Sequence, residues 1–462
     1  MTNVVFLLSD EHNPRYSSVY GHPFLRTPNM ERLAARGTLY ENAYCPSPLC
    51  VPSRTALMAG RYTHETQAYN NSKVVERRHP SYGGVLAAQG VHTLYVGGGS
   101  NLYRDPFSLG FSEMPRATSV GRGLGTHAIQ AERPSRKPLK TSEASGPVED
   151  MYAKEGAHID AAVDWLHTRA PGMDCPWTMT IGINPPHPPY TTEPKYWDMY
   201  QGLDDLPEHG IETESAQHPY AQDVRDNGRW DYEDDLVRDL RRGYFGAISY
   251  VDDQLGRLLD AVDDAGLSAD TVICYCADHG EMLGKFGMWG KTSLYEDAVR
   301  IPMLAAGPGF ELGRRVTTPV TSLDLQATLF RATGARRPEA WRGIPLQDIP
   351  PDDPGRPAFA TYHGHNARAG AFMLRRGDWK LIHNTAAPHQ LFNLHEDPEE
   401  LENVWSDHPH VVAELGTELR AICDPEAVER DAAAVRQQQY EAERRLAEEH
   451  GPEERLVPWE EA

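Results

Sequence analysis

Short apolar runs alternate with amphipathic stretches from the first residues to about residue 330. The apolar runs VVFLL at 4–8, HTLYVG at 92–97, WTMTIGI at 177–183, TVICYCA at 271–277 and RIPMLAAG at 300–307 predict buried strands. Between them, MERLAARG near residue 30, AHIDAAVDWLHTR at 157–169 and the long stretch 236–266 predict helices. In the last, Leu255, Leu258, Leu259 and Val262 recur at helical spacing and mark a core-facing stripe. Strand and helix patterns in alternation predict an α/β layered sheet. Residues 101–150 and 201–230 lack periodicity and read as long loops of the kind that shape a substrate mouth. A Pro-rich stretch, DIPPDDPGRPAF, precedes a second unit with strand-like GAFMLRRGDWKLIH and a helix near 409–422. The expected organisation is a large unit over 1–350, a small unit over 356–425, and a tail over 426–462 that is helical and then extended.

Composition narrows the class. The 462 residues are 40% hydrophobic and 24% charged, ordinary globular values for a chain long enough to bury a large core. A formal charge of −22 opposes nonspecific attraction to nucleic acid or anionic lipid, so neither is an expected partner. The N-terminal apolar run is five residues long and ends in charge, which reads as a strand and not an export signal. No window approaches the roughly 20 apolar residues of a membrane span. Six scattered cysteines are too few for a disulfide framework in a chain of this size. A cytoplasmic location is the expectation, and the charged tail is expected to pack on its own body or on a second copy as a homo-oligomer.

The candidate chemistry lies where apolar runs end. Asp10 and Glu11 follow the first strand, and Asp278 and His279 follow TVICYCA. In an α/β sheet, ligands gather outside the carboxyl ends of the strands. Either pair alone could simply cap the helix that follows. Together they would bring three carboxylates and an imidazole near one point, an arrangement that calls for a divalent cation. The pentapeptide Cys50-Val51-Pro52-Ser53-Arg54 opens a helix, placing Cys50 and Arg54 near a helix N-terminus that favours an anion.

Those motifs resemble the type I, formylglycine-dependent sulfatases of the alkaline-phosphatase superfamily, nearest the choline-sulfatase and phosphonate-monoester-hydrolase branch. The likeness runs through LLSDEH, CVPSRTALMAGRY, NPPHPPY at 184–190, ADHGEMLGKFGMWGKTSLYEDAVRIPML at 277–304, and RRGDWKLIH with QLFNLHEDPEELENV. It implies a large mixed-sheet, alkaline-phosphatase-like α/β domain with a smaller C-terminal α+β domain. It also implies that a maturation enzyme converts Cys50 to formylglycine, and that one divalent ion, calcium or manganese, is bound. The substrate implied is a small anionic ester, above all a sulfate ester. Matched residue by residue, Asp10, Glu11, Asp278, His279 and the hydrated Cys50 stand at metal ligands, and Arg54 stands where the hydrated aldehyde is steadied. His187 and Lys291 stand at groups that bind sulfate oxygens and assist the leaving group, and Asn71 at an active-site asparagine.

One segment departs from that pattern. The usual Gly-Lys-x-His segment reads VGGGSN here, with Gly98 and Ser100 in place of the lysine and histidine. Lys73, Arg104 or Arg122 could supply the missing charge, with Arg104 a candidate substrate-binding residue. Otherwise the same nucleophile would serve a phosphonate monoester or phosphodiester, or the protein would bind an anion without turnover.

Overall fold

The computed structural model describes residues 2–72, 79–97, 106–115, 144–228 and 232–450. Its main sheet contains β1 (Asn3–Asp10), β2 (Gly37–Tyr40), β3 (His92–Gly97), β4 (Trp177–Pro186), β5 (Thr271–Ala277), β6 (Met303–Ala306) and β7 (Arg314–Val316). Their order across the sheet is β7-β2-β6-β5-β1-β4-β3. β6 runs antiparallel to β2 and β5, and the other pairings are parallel, so the sheet is mixed.

Central β1 is apolar at successive positions because both faces are covered. Val4, Phe6 and Leu8 enter one core cluster, and Val5 and Leu7 enter the other. The register with β5 pairs Val4 with Val272 and continues to Ser9 with Ala277. Asp10 and Asp278, each one residue further on, therefore emerge side by side at the same edge of the sheet.

The covering helices follow the predicted stripes. Helices α1 (Pro28–Ala35), α2 (Cys50–Ala59), α3 (Ala153–Thr168), α4 (Asp234–Asp264) and α5 (Ser322–Thr333) surround the sheet. Leu255, Leu258, Leu259 and Val262 of α4 are all fully buried. At Gly243 a Cβ would lie 1.7 Å from the Tyr190 carbonyl oxygen, so only glycine lets α4 approach the segment that carries His187. Part of the 201–230 stretch is helical, contrary to the loop expectation. Residues Pro219–Gly228 form a helix that buries Tyr220, Ala221 and Val224, a narrow apolar stripe hidden in a polar sequence.

The C-terminal unit is an antiparallel sheet of β8 (Pro357–Tyr362), β9 (Ala371–Arg376), β10 (Trp379–Asn384) and β11 (Gln390–Asn393), in that order. Phe359, Phe372, Leu374 and Leu381 face helix α6 (Pro409–Ile422) through Leu415 and Leu419. Ala360, Tyr362, Met373 and Ile382 face the other way and join the core of the main sheet. The fully buried Lys380 fastens the two units, lying 2.9 Å from Glu296 and 2.7 Å from Glu400. Helix α7 (Pro425–His450) follows. No helix among the described residues is long and apolar enough to cross a membrane.

Candidate active site

The site is built at the carboxyl ends of β1 and β5 and at the first turn of α2. Ser53 ties α2 to the sheet by donating to the Asp278 carbonyl at 2.6 Å. Cys50 is the first residue of that helix, and its Sγ lies 3.2 Å from His279 Nε2 and 3.7 Å from Asp10 Oδ1. Arg54, one turn on, spans the two carboxylates, donating from Nε to Asp278 Oδ2 at 2.7 Å and from Nη2 to Asp10 Oδ2 at 2.8 Å. Asn71 accepts from the Val51 N–H at 3.1 Å, which satisfies one of the amides that a helix start leaves without an internal partner.

A second group sits beside the first. Glu11 has left-handed backbone, φ 69°, which turns the chain sharply as it leaves β1. Its amide donates to Asp278 Oδ1 at 3.1 Å. Lys291 Nζ donates to Glu11 Oε2 at 2.6 Å, and His187 Nε2 lies 3.4 Å from the same oxygen. His187 Nδ1 is 2.7 Å from the Pro188 carbonyl, the contact of an Nδ1–H donor that leaves Nε2 as the lone-pair nitrogen. Glu11 Oε1 is buried without a hydrogen-bond partner.

Burial sets the protonation of these groups. It pushes the Asp10 carboxyl up, reinforced by Asp278 and opposed by Arg54. It also acts upward on Asp278, but His279 and Arg54 outweigh it and hold that carboxyl at about 2. Burial brings His279 and His187 down to about 4, so both imidazoles are neutral at pH 7 and have a lone pair to offer. Burial works against the Lys291 ammonium, yet Cys50 and Glu11 raise its pKa above the ordinary value and keep it cationic. The Cys50 thiol is pushed well up by burial and then by Asp10, so as a plain thiol it is a poor nucleophile at neutral pH.

The donor set fits a divalent cation. Ligand atoms of Asp10, Cys50, Asp278 and His279 lie within 4.8 Å of one another, and so do those of Asp10, Glu11 and His187. Three buried carboxylates, Asp10, Glu11 and Asp278, face two cationic side chains, Arg54 and Lys291. The protein groups alone are thus short of positive charge. A divalent ion would make the site net positive, as an anionic ester requires.

The sequence-predicted residues Asp10, Glu11, Cys50, Arg54, Asn71, His187, Asp278, His279 and Lys291 converge here. The geometry divides them in a way the motifs did not indicate. Glu11 belongs to a second group that shares Asp10 with the four-residue cluster around Cys50, and its carboxylate contacts Lys291 and His187. Arg104, Lys73, Arg122, Gly98 and Ser100 lie outside the described residues. His363 is not part of either potential ligand group; its Nδ1 lies 3.2 Å from Glu429 Oε2. Sequence reasoning missed the groups that brace the turn after β1. The Tyr244 hydroxyl donates to the Glu11 carbonyl at 2.7 Å, and Asn13 Nδ2 donates to Asp297 at 2.8 Å. Glu281 Oε1 accepts from the Leu283 and Gly290 amides at 2.7 and 2.6 Å, closing the loop that leads into Lys291.

Comparison with known proteins agrees with this architecture. The sulfatase family profile matches residues 2–335, and a profile described as N-sulphoglucosamine sulphohydrolase, C-terminal, matches residues 284–424. The chain belongs to the sulfatase family and is a hydrolase of the sulfatase and phosphoesterase type, with a cluster able to coordinate a metal. It is 29% identical over 479 residues to a choline-sulfatase of Rhizobium meliloti (strain 1021), covering 95% of this chain and 89% of that protein. An arylsulfatase K of Danio rerio is 26% identical over 464 residues, covering 95% and 87%. The structure of a phosphonate monoester hydrolase of Agrobacterium radiobacter superposes with a TM-score of 0.74 at 21% identity, covering 91% of this chain and 95% of that one. That of Silicibacter pomeroyi gives 0.72 at 23% identity, covering 91% and 94%. Both share the fold.

Proposed function

We propose that the protein hydrolyses small sulfate esters with a formylglycine made from Cys50 by a maturation enzyme. The observation that carries this reading is the enclosure of Cys50 by Asp10, Asp278 and His279 at the helix start, where a thiol is suppressed by burial and a nucleophile of another kind is needed. The hydrated aldehyde supplies one hydroxyl for attack on sulfur and a second whose deprotonation expels sulfate and restores the aldehyde. Asp10, Asp278, His279 and the residue-50 oxygen would hold one calcium or manganese ion, with Glu11 as a further oxygen ligand. When bound, that ion acidifies a nucleophilic hydroxyl and withdraws charge from the ester oxygens.

The remaining roles belong to the chain itself. Arg54 holds Asp10 and Asp278 in fixed orientation, so that neither carboxylate turns away from residue 50. Lys291, charged at all physiological pH values, stands beside the site and takes the nonbridging oxygens of a bound ester when its contact with Glu11 loosens. The neutral His187, with Nε2 as its lone-pair nitrogen, takes up the proton released by the attacking hydroxyl and passes it to the departing leaving-group oxygen. Asn71 keeps the first turn of α2 in place and borders the substrate.

Gly98 and Ser100 support a second reading, a phosphonate monoester or phosphodiester hydrolase with the same nucleophile, because they remove two charge-assisted contacts worth roughly 2–4 kcal/mol each in a transition state. Specificity constants for an aryl sulfate, an aryl phosphonate monoester and an aryl phosphodiester, measured on one metal-loaded preparation, separate the two. The sulfate is expected to rank first. If it ranks last, the second reading replaces the first.

A further inference from the structure

Both family profiles end at or before residue 424, and helix α7 begins at Pro425. The alignments with the choline-sulfatase and arylsulfatase K, covering 95% of this chain, run into this helix but assign it no task. Its Val428, Ala432 and Val435, spaced along one face, pack into the cluster formed by Tyr69, Phe359, Phe372 and Leu415. The polar residues flanking that face reach two segments, one in the main unit and one between β8 and β9 of the C-terminal unit, and both approach the residues next to Cys50.

The first segment is 67–72. The Asp431 carboxylate accepts from Gln67 Nε2 at 2.8 and 2.9 Å and from the Tyr69 hydroxyl at 2.7 Å. Asn70 Nδ2 donates to Gln439 Oε1 at 2.7 Å. The backbone at Gln67 is left-handed, φ 56°, a conformation that disfavours a non-glycine residue and needs outside support. The next residue in line, Asn71, accepts from the Val51 amide in the first turn that begins with Cys50. The second segment follows β8. Glu429 accepts from the Gly370 amide at 2.7 Å and lies 3.2 Å from His363 Nδ1. Between them the Tyr362 hydroxyl donates to the His365 carbonyl at 2.6 Å, and a Cβ at Gly364 would lie 2.7 Å from Leu49, the residue before Cys50.

We infer that α7 is a positioning element for the nucleophile, with Asp431 acting through Asn71 to hold the first turn of α2. This inference rests on the reading of residue 50 as the nucleophile. Asp431 and Gln439 touch neither Cys50 nor the carboxylates around it. They fix the segment that caps the Val51 amide, and a loosened cap lets residue 50 drift from the line of attack, where displacements near 1 Å cost up to about 10²-fold in rate.

Two measurements on the full-length protein test this. Hydrogen exchange in a peptide spanning Val51 reads the cap directly and needs no turnover. Asp431→Ala is expected to speed exchange there at least about tenfold, the scale of one lost supporting contact, while Asp431→Asn, which keeps an acceptor oxygen, stays near wild type. Unchanged exchange in Asp431→Ala overturns the inference. If Asp431→Ala does not fold, Gln439→Ala carries the same expectation, and unchanged exchange in that variant overturns the inference equally. Turnover of an aryl sulfate, normalised to the aldehyde content at residue 50, is the second readout. Asp431→Ala should lower kcat about tenfold with KM within about twofold, and should add nothing on an Asn71→Ala background. Independent losses that multiply in the double variant would mean that Asp431 does not act through Asn71. An enzyme inactive on every sulfate ester counts against the proposed function, and the exchange measurement still decides the role of α7.

Discussion

Cys50→Ala is expected to lower turnover by at least about 10⁴-fold, the scale of loss when a covalent nucleophile is removed, while the protein stays folded. The substitution removes one buried sulfur, and the first turn of α2 keeps its Asn71–Val51 and Ser53–Asp278 hydrogen bonds. Its stability cost should stay near about 1 kcal/mol, as for other small truncations in a packed interior. Thermal unfolding should therefore change little, and the cation, deprived of the residue-50 ligand but still facing Asp10, Asp278 and His279, should bind more weakly than in wild type yet not be lost, which separates a missing nucleophile from a disrupted site. A variant that kept full activity would show that residue 50 does no covalent chemistry.

Asp278→Ala should produce a different pattern, with loss of bound cation, activity and stability together. The Asp278 carboxylate accepts from Arg54 and from the Glu11 amide and lies 3.6 Å from His279. Its removal leaves Arg54, 3% exposed, with Asp10 as its remaining carboxylate partner. Breaking a buried pair in this way costs about 3–5 kcal/mol. Asp278→Asn keeps the shape and one acceptor oxygen, so it should fold better and still bind the cation more than about 100-fold less tightly, beyond the 10–100-fold that loss of a supporting partner alone costs. Metal analysis after dialysis, read beside the unfolding midpoint, distinguishes these effects. Wild-type metal content in both variants would place the cation elsewhere.

The chain's chemistry was legible wherever a local pattern ends on polar residues. VVFLL and TVICYCA announce two buried strands, and the residues after them, Asp10 with Glu11 and Asp278 with His279, are the ones the sheet register brings together. Cys50 and Arg54 were legible because a helix start has its own signature. What the sequence concealed depends on contacts between distant positions. Tyr244 braces the Glu11 carbonyl from 233 residues away, and Asn13 reaches Asp297 across 284. The pairing of Lys291 and His187 with Glu11 was equally hidden, since residue matching assigns each to the substrate and gives no hint that they share a carboxylate. The helix at Pro219–Gly228 escaped because three buried side chains in ten residues leave too faint a stripe. Helix α7 was legible as a helix, but its polar contacts with 67–72 emerge only when the two segments are folded together.

The central claim is that residue 50 works as formylglycine, and mass spectrometry of the peptide containing it, taken from an active preparation, tests that most directly. Conversion of the thiol to the aldehyde should leave that peptide about 18 Da lighter than its cysteine form, with the converted fraction rising in proportion to specific activity across preparations made with and without a maturation enzyme. Full specific activity in a preparation whose residue 50 is entirely cysteine would contradict the account.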